Sequence, residues 1–375
     1  MHLAPLDASN VKITKTTKPS KLKPNDQLIF GRTFTDHMLS IEWDASRGWH
    51  QPQITPYQNL ALDPASSVLH YAFTCFEGMK AYRSPTGSIR LFRPQMNMAR
   101  LNSSAARLAL PSFDADQMID LIGKTVSVDS RFIPTEKGYS LYLRPIMIGT
   151  QKTLGVGPSG SALLYMIMSP VGPYYATGFK ACSLEATDYA VRAWPGGVGD
   201  KKIGANYAPC ILPQLDAAKR GFHQNLWLFG DQHEVTEVGT MNFFAVIQDK
   251  ATGVRELVTA PLDGTILVGV TRDSVLSLAR ERLVPQGYKV SERKFTMHDL
   301  KTAADEGRLL EAFGAGTAAI VAPVRNISWK GELVDCGLKE GEESGVVAGL
   351  MKEWIEARQY GEEEHEWSYE VPGSG

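Results

Sequence analysis

Hydrophobic and polar positions along the first half of the chain change their period several times, which predicts a mixture of strands and helices. The segments GSIRLFRP (residues 87–94) and SLYLRPIMIGT (140–150) predict strands, and the apolar run ALLYMIM (162–168) predicts a buried strand. Between the first two segments, apolar residues recur every three to four positions, which predicts helices over residues 96–108 and 114–129.

The second half of the chain shows the same mixture. NLWLFG (225–230) and NFFAVIQ (242–248) predict strands, Thr271 begins a helix that reaches about residue 283, and residues 344–360 predict a late amphipathic helix. Strands and helices therefore interleave in both halves. We predict an α/β or α+β protein of two domains.

A segment rich in Pro and Gly separates the two halves. SPVGPYYATGF (169–179) places turn-forming residues between two apolar stretches, as a connection between domains does. We predict four parts of the chain: an N-terminal arm, a smaller α/β domain, an inter-domain loop, and a larger α/β domain that carries Lys202. Their boundaries are residues 1–29, 30–170, 171–181 and 182–375.

Composition excludes several classes of partner. Of the 375 residues, 21% are charged, the net charge is −2 and no basic cluster is present, so we expect neither nucleic acid nor a membrane surface. No apolar run approaches the ~20 residues of a membrane helix. The four Cys contain no C-x-x-C pair and the eight His are dispersed, so we expect neither a disulfide framework nor a metal site.

The N-terminal residues MHLAPLDASNVKITKTTKPSKLKP lack the apolar segment of a secretory signal. A mitochondrial presequence would be amphipathic and rich in Arg, whereas the first Arg here is Arg32 and three Pro interrupt any helix. We expect a loosely held arm and a cytoplasmic protein, with the mitochondrial matrix as the alternative.

Three segments are candidates for binding anions, and each also has an ordinary structural explanation. GVGPSG (155–160) has the letters of a dinucleotide loop, but a strand follows it instead of a helix, so we interpret it as a turn between strands. FGAGTAA (313–319) combines small residues with the Thr317 hydroxyl, and Thr271 either caps a helix or lies where a helix N-terminus binds phosphate. The residues alone leave the last two open.

The segment GGVGDKKIGANYAP (196–209) holds two adjacent lysines, Lys201 and Lys202, shortly before Tyr207. They are solvated surface charges, a phosphate clamp or a carbonyl-reactive amine, and local spacing does not decide among these. Glu237 lies between two predicted strands, where a buried carboxylate needs a partner. An amine, a carboxylate, a phenol and two phosphate sites together match the requirements of pyridoxal phosphate.

The chain resembles the branched-chain amino acid aminotransferases of eukaryotic type, two-domain pyridoxal-phosphate enzymes of fold type IV (D-amino acid aminotransferase-like). Within that family it resembles most the cytosolic forms of fungi. The class IV signature is met in order by Glu237, Asn242 and Phe244, then by LVT (257–259) and LVGVTR (267–272). Further matching blocks are FGRTFTDHM, HYAFTCFEGMKAY, LFRPQMNMARL, LYLRPIMIGT, RAWPGGVGDKKIGANYAP, TEVGTMN and FGAGTAA.

The resemblance implies a role for each cofactor-binding candidate. Lys202, in the context K-x-G-x-N-Y, matches the family's Schiff-base lysine, which leaves Lys201 solvent-facing or structural. Tyr207 matches the donor to the cofactor's O3′, and Glu237 matches the partner of the pyridine nitrogen. The residues that would bind the phosphate are Arg100, Val270, Thr271 and Thr317.

The resemblance also implies a substrate pocket with aromatic walls, which suits the side chains of Leu, Ile and Val. The matching positions are Phe30, Tyr71, Phe76 and Tyr142. The backbone around Thr240 and Ala318, with Tyr142, would bind the α-carboxylate, and Arg144 the second carboxylate of glutamate. Mammalian members carry a C-x-x-C redox switch at the positions of Ala319 and Ala322, so we expect no switch of that type.

The implied reaction is a ping-pong transamination between branched-chain L-amino acids and 2-oxoglutarate, in a homodimer, with Lys202 as general acid and base. One alternative is another enzyme of the same fold type, a D-amino acid aminotransferase or an aminodeoxychorismate lyase. The blocks FGRTFTDHM and FEGMKAY argue against it. A second alternative is a non-catalytic pyridoxal-phosphate-binding protein, which need not keep Lys202, Tyr207 and Glu237 together.

Overall fold

The computed structural model describes residues 3–173 and 179–373. The chain divides into two compact units: unit 1 is Met1–Tyr174, Lys201–Ala205 and Ala357–Gly375, and unit 2 is Tyr175–Asp200 and Asn206–Glu356. The predicted inter-domain loop contains residues 174–178, which lie outside the described residues, so the predicted domain boundaries stay a prediction. Lys202 lies in the segment Lys201–Ala205 of unit 1, and its assignment to the larger predicted domain also stays a prediction.

Unit 1 is built on a sheet whose longest strands pair with each other in an antiparallel ladder. The strands are β1 (Lys12–Ile13), β2 (His37–Asp44), β3 (Gly48–Trp49), β4 (Gln53–Pro56), β5 (Thr74–Phe76), β6 (Met79–Arg83), β7 (Ile89–Phe92), β8 (Ser140–Gly149), β9 (Ser161–Val171) and β19 (Ser368–Glu370). Their order in the sheet is β1-β4-β2-β9-β8-β6-β7-β19, with β3 on β2 and β5 on β8. The helices are α1 (Ser67–Tyr71), α2 (Pro94–Arg107) and α3 (Ala115–Val128), with 3-10 turns at Ala8–Asn10, Asn25–Gln27 and Ser130–Phe132.

The two helices predicted for the first half are confirmed as α2 and α3. Pro94 is the first residue of α2, a position where its missing N–H costs nothing. Asp114 caps α3 by accepting from the N–H groups of Asp116 and Gln117. The predicted strands are confirmed as β7, β8 and β9, and residues 155–160 do connect two antiparallel strands, as the turn interpretation requires.

The N-terminal arm is attached to unit 1, so the expectation of a loosely held arm is wrong for the described residues up to Ser20. Strand β1 pairs with β4 in parallel. The backbone N–H of Thr16 donates to Nε2 of buried His37 at 2.9 Å, and the His37 Nδ1 lies 2.8 Å from Asp129. The N–H of Ser20 donates to the Asp36 carboxylate. The reason is an available sheet edge and a buried imidazole acceptor, neither of which the arm's own composition reveals.

Unit 2 is built on a second sheet. Its strands are β10 (Cys182–Thr187), β11 (Gln224–Phe229), β12 (Glu234–Val238), β13 (Met241–Gln248), β14 (Arg255–Thr259), β15 (Lys289–Glu292), β16 (Leu309–Gly316), β17 (Ile320–Trp329) and β18 (Glu332–Asp335). Their order is β12-β11-β10-β17-β16-β13-β14-β15, with β18 on β17. The helices are α4 (Ile211–Lys219), α5 (Val270–Leu278), α6 (Met297–Asp305) and α7 (Val346–Gln359), whose last residues count with unit 1. Short 3-10 turns cover Ala208–Cys210 and Val284–Gln286, and the turn Gly204–Asn206 begins in unit 1 and ends with the first residue of the next unit 2 segment.

The unit 2 sheet closes on itself, because β12 also pairs with the beginning of β13. In that closing pair Glu237 lies opposite Asn242, and Asn242 in turn lies opposite Ala315 of β16. The ring therefore sets a carboxylate and an amide side by side. The predicted strands β11 and β13 and the late helix α7 are confirmed. The helix predicted from Thr271 to about residue 283 is α5, continued by a π-helical turn at Ala279–Leu283.

No helix in the described part of the chain has the length and apolar character to span a membrane.

Candidate active site

Lys202 is fixed by backbone hydrogen bonds to two elements of unit 1. Its carbonyl accepts from the N–H of Phe76 at 3.0 Å, and the next residue, Ile203, forms an antiparallel bridge with Cys75 of β5. Its own N–H donates to the Ser104 hydroxyl of α2 at 2.9 Å. A glycine-rich segment that looks like a surface loop in the sequence therefore continues the β5 edge and is attached to a helix.

The amine of Lys202 lies in surroundings that disfavour its charged form. Burial, and then the guanidinium of Arg100, lower its pKa to about 8, with a smaller contribution from Arg144. Glu77 and Tyr142 act in the opposite direction. Close to pH 8 a large fraction of this amine is uncharged, and an uncharged lysine amine attacks carbonyl carbon.

The neighbouring lysine has different surroundings. The Nζ of Lys201 donates to the Ser103 hydroxyl of α2 at 3.0 Å, in an exposed position. Two adjacent lysines thus bond to two adjacent serines of the same helix, Lys201 by its side chain and Lys202 by its backbone. This arrangement leaves the side chain of Lys202 for the buried cluster.

Arg100 forms a two-pronged ion pair with a carboxylate that the sequence analysis did not identify. Its Nε donates to Oε1 of Glu77 at 2.6 Å, and its Nη2 donates to Oε2 at 2.8 Å. Glu77 is completely buried. Glu77 therefore binds one edge of the guanidinium within unit 1. This two-pronged geometry is typical of Arg–carboxylate pairs.

Aromatic rings and a second guanidinium surround the Lys202 amine in unit 1. The Lys202 Nζ lies 4.9 Å from the centroid of the Phe76 ring, and the Phe30 and Tyr142 rings meet edge to face at 4.9 Å. Arg144 lies over Phe76 and Tyr142, and its Nη2 donates to the Tyr142 hydroxyl at 3.0 Å. Among the described residues, the buried Nε of Arg144 has no hydrogen-bond partner.

Gly78 is required by the position of the Tyr142 side chain. A Cβ added to Gly78 would lie 2.1 Å from the Tyr142 hydroxyl oxygen, far closer than any real contact. The glycine of the F-E-G sequence thus lets the phenol approach the backbone. This explains, in packing terms, why Glu77 is followed by a residue without a side chain.

Tyr71, the fourth predicted aromatic wall, lies at the surface of unit 1. It is 40% exposed, and its hydroxyl donates to the carbonyl of Leu154 at 2.5 Å. It ends α1, next to Ala72 in the left-handed conformation. The structure of this unit groups Phe30, Phe76 and Tyr142, while the role of Tyr71 in a pocket stays a prediction.

Glu237 is the centre of a hydrogen-bonded cluster in unit 2. It is 2% exposed, and its Oε1 accepts from the Leu267 N–H at 2.8 Å and from the Asn242 amide at 3.1 Å. Its Oε2 lies 2.8 Å from Nη2 of Arg192. These donors hold the carboxylate in one orientation and favour its ionised form.

Arg192 is a second residue that the sequence analysis missed. Its side chain is buried, and its Nη1 donates to the carbonyl of Thr265 at 3.1 Å. Both missed residues carry a charge within an apolar stretch, Glu77 in FTCFEGM and Arg192 in YAVRAW. Since a buried charge needs a partner, a charged residue in an apolar stretch is the sequence signal for both, as it is for Glu237.

The N-terminus of α5 has the properties of an anion site. The helix follows Gly269, and among the described residues no side chain caps its first turn. Val270 and Thr271 are buried there, and a Cβ added to Gly269 would lie 2.1 Å from the Asn242 amide oxygen. Free N–H groups at a buried helix start attract negative charge.

The remaining predicted residues of unit 2 lie in turns. Thr317 and Ala318 are half-buried in the turn that joins β16 to β17, and Thr240 is exposed in the turn between β12 and β13. Tyr207 is half-buried just before the 3-10 turn that leads to α4. In the part of the chain that the structure describes, no group of three or more His, Cys, Asp or Glu could hold a metal ion.

Comparison with known proteins identifies close relatives over the whole chain. The sequence pattern of the family described as amino-transferase class IV matches residues 74–327. The chain is 60% identical over 369 residues to the cytosolic branched-chain-amino-acid aminotransferase of Saccharomyces cerevisiae, with 98% of both chains covered. It is also 60% identical over 358 residues to the mitochondrial enzyme of that name from the same yeast, with 96% of this chain and 91% of that one covered.

A solved structure also resembles this chain. The branched-chain amino acid aminotransferase of Escherichia coli has a TM-score of 0.70 at 24% identity. The match covers 88% of this chain and 99% of that one. The predicted two-domain fold of type IV is therefore confirmed.

Proposed function

Since the chain belongs to the class IV aminotransferases and, within them, to the branched-chain-amino-acid aminotransferases, we propose that it transfers the amino group of leucine, isoleucine or valine to 2-oxoglutarate. The cofactor is pyridoxal 5′-phosphate. The observation that carries the proposal is the Lys202 amine, whose pKa is lowered to about 8 by burial and by Arg100. Such an amine serves both as a covalent anchor and as a proton carrier.

Each unit of the chain offers groups that suit a polar part of this cofactor. Lys202 supplies the amine for the aldehyde, and Glu237 supplies a buried carboxylate for the pyridine nitrogen. Arg100 and the uncapped start of α5 supply donors for the phosphate. We assign Tyr207 to the ring hydroxyl and Thr317 to the phosphate on the resemblance.

Pyridoxal phosphate, when bound, withdraws electrons from the substrate's Cα and so makes its proton removable. The side chain of Lys202 then accepts that proton at Nζ and returns it as general acid. Glu237 stays ionised because Arg192, Leu267 and Asn242 donate to it, and its charge favours a proton on the pyridine nitrogen. Holding these groups in place before reaction is the contribution of the protein.

The unit 1 cluster offers apolar and cationic surfaces for two kinds of side chain. The rings of Phe30, Phe76 and Tyr142 suit branched aliphatic groups, where each buried methylene contributes about 0.8 kcal/mol. The Nε of Arg144, buried without a partner among the described residues, suits the second carboxylate of glutamate. We assign the α-carboxylate to Tyr142 and to the backbone at Thr240 and Ala318.

The test is a steady-state assay of the purified protein with each branched-chain amino acid and 2-oxoglutarate. We expect activity with leucine, isoleucine and valine, and its loss in Lys202→Ala, while Lys201→Ala retains activity as the matched control. Turnover by Lys202→Ala at the wild-type rate would refute the assignment. Activity on D-alanine but none on L-leucine would instead identify another enzyme of the same fold type.

We also infer that the protein acts as a homodimer. Helix α4 exposes three large apolar residues, Ile211 (54%), Leu212 (65%) and Leu215 (54%), and a patch of this kind is typical of a surface that another chain covers. Light scattering on the purified protein tests this. For its location we propose the cytoplasm, with the mitochondrial matrix as the alternative, because the two yeast relatives at equal identity differ in compartment.

A further inference from the structure

Glu77 is a buried charge that the proposed reaction does not use. Both of its oxygens bind Arg100, and its Oε2 also accepts from the Asn97 amide at 2.8 Å and from the Gly78 N–H at 3.2 Å. Its own N–H donates to the carbonyl of Pro145 at 2.8 Å. The carboxylate is thus held by two side chains of α2 and by the adjoining backbone, while the backbone of Glu77 is held by β8.

One face of α2 connects this carboxylate to the reactive lysine. Asn97, Arg100 and Ser104 follow one another at spacings of three and four residues, so they lie on the same side of the helix. The first two donate to Glu77, and the third accepts from the backbone N–H of Lys202. A shift of this face would therefore move both Arg100 and Lys202.

Stability alone does not account for such a pair. Taking two charges out of water costs several kcal/mol, and well-packed apolar residues often replace a buried ion pair without loss. The pair lies instead beside a group of the proposed reaction, since Arg100 and Glu77 both act on the charge of Lys202, in opposite directions. The position of the pair is better explained by its effect on the charge of the Lys202 amine.

We propose that Glu77 is a positioning residue of this enzyme, which orients the Arg100 guanidinium toward the cofactor's phosphate and offsets its positive charge beside the Lys202 amine. The inference rests on the proposed function, because it takes Arg100 as a phosphate ligand. A carboxylate that binds the Nε and Nη2 edge fixes the plane and the rotation of the guanidinium. Direction matters here because hydrogen bonds weaken steeply as their angle departs from linear.

The groups that influence the charge of Lys202 include the guanidinium groups of Arg100 and Arg144, the Glu77 carboxylate and the Tyr142 phenol. Removing the charge of Glu77 removes an influence that favours the ammonium form, while the two guanidinium groups remain. The ammonium form of Lys202 is then less favourable, so its proton is lost at lower pH. A merely structural role for Glu77 would not move this titration in a folded protein.

The first experiment measures how much the phosphate group contributes to the affinity for the cofactor. Dissociation constants for pyridoxal phosphate and for pyridoxal are determined by equilibrium dialysis on the cofactor-free full chain. Their ratio reports the phosphate contacts alone. We expect Glu77→Gln to reduce the preference for the phosphorylated form at least tenfold, because the amide turns a donor toward the guanidinium. Asn97→Ala, which removes one donor to Glu77 and no charge, reduces it about fivefold.

The second experiment titrates the amine of Lys202 in the cofactor-free protein. Acetylation of Lys202 by a limiting amount of acetic anhydride is followed by mass spectrometry as a function of pH. The midpoint in the wild type is expected at about 8, and in Glu77→Gln it falls by about one pH unit. Glu77→Asp keeps the charge and retains the wild-type midpoint, while its shorter side chain still reduces the phosphate preference.

Glu311→Gln is the matched control, because Glu311 is another buried carboxylate that accepts two backbone N–H groups, in unit 2. We expect it to change neither the phosphate preference nor the Lys202 midpoint. An unchanged or increased phosphate preference in Glu77→Gln, or an unchanged midpoint, overturns the inference about Glu77. If the wild type itself does not prefer pyridoxal phosphate to pyridoxal, the proposed function fails instead.

Discussion

Each unit of the molecule contains one of two comparable pairs, a buried glutamate bonded to a buried arginine, and the two pairs are built differently. In unit 1 the guanidinium of Arg100 takes both oxygens of Glu77. In unit 2 the guanidinium of Arg192 takes one oxygen of Glu237, and the Leu267 N–H and the Asn242 amide take the other. The two pairs consist of the same residue types, but the arginine binds both carboxylate oxygens in the first pair and only one in the second.

The two pairs also differ in the roles that we propose for their members. In the first pair we assign the arginine to the phosphate, and the carboxylate supports it. In the second pair we assign the carboxylate to the pyridine nitrogen, and the arginine supports it. A supporting charge is needed in both cases because an unpaired buried charge is costly, whatever its sign.

The largest expected effect comes from breaking the second pair at its supporting member. Arg192→Met leaves Glu237 charged and buried without its cation, so the free energy of unfolding should fall by about 3–5 kcal/mol. Urea denaturation of the cofactor-free protein measures it. Adding Glu237→Gln to this variant removes the unpaired charge and should restore part of the loss. A double variant less stable than the single one would contradict this description of the pair.

Replacing the carboxylate of each pair by an amide should lower kcat by different amounts in the two pairs. Glu237→Gln should lower kcat by roughly 10²- to 10³-fold, because it removes a charge that acts directly on the reacting system. Glu77→Gln at saturating cofactor should lower kcat less than tenfold. Steady-state assays with leucine and 2-oxoglutarate measure both losses of kcat. Equal losses in the two variants would contradict the assignment of different roles to the two carboxylates.

The first pair faces a titrating amine, and this should appear in the stability of the cofactor-free protein. The folded-state pKa of Lys202 is about 8, below the usual lysine value of 10.5, so its charged form is disfavoured by folding. The penalty is complete below pH 8 and is relieved as the pH rises toward 10.5, by up to about 3 kcal/mol. Wild type and Lys202→Met, compared by denaturation from pH 7 to 10.5, should converge at the alkaline end. Parallel curves would show that the amine is not desolvated.

The smallest effect in this series concerns the glycine beside the first pair. Gly78→Ala places a Cβ against the Tyr142 hydroxyl, an overpacking that costs about 1–3 kcal/mol. Because Tyr142 and Arg144 are bonded to each other, we expect KM for the amino acid to rise while the affinity for pyridoxal phosphate is retained. Equal changes in both quantities would mean that the strain spreads to Glu77.

The period of the hydrophobic pattern was sufficient to predict most of the fold. The chemistry of local segments was sufficient to predict only part of the site. Helices α2 and α3 and strands β8 and β9 follow from spacing alone, because each buries one face of a regular element. The choice of Lys202 over Lys201 came from the resemblance, since neighbouring lysines look alike until the serines of α2 are placed against them.

Glu77 and Arg192 could not be assigned partners from the sequence. Glu77 pairs with a residue 23 positions away and Arg192 with one 45 positions away, and the spacing of residues along the chain carries no information about such distant contacts. The attachment of the N-terminal arm was missed for the same reason. Its acceptor, His37, is made available by Asp129, which lies at the end of α3.

The attached arm has a practical consequence for handling the protein. Strand β1 covers part of the outer side of β4, which is otherwise the rim of the unit 1 sheet. A strand with unpaired N–H and C=O groups is a template for association with another chain. A version that begins after Thr16 should therefore be more prone to aggregate on storage, and an affinity tag is better placed at the C-terminus.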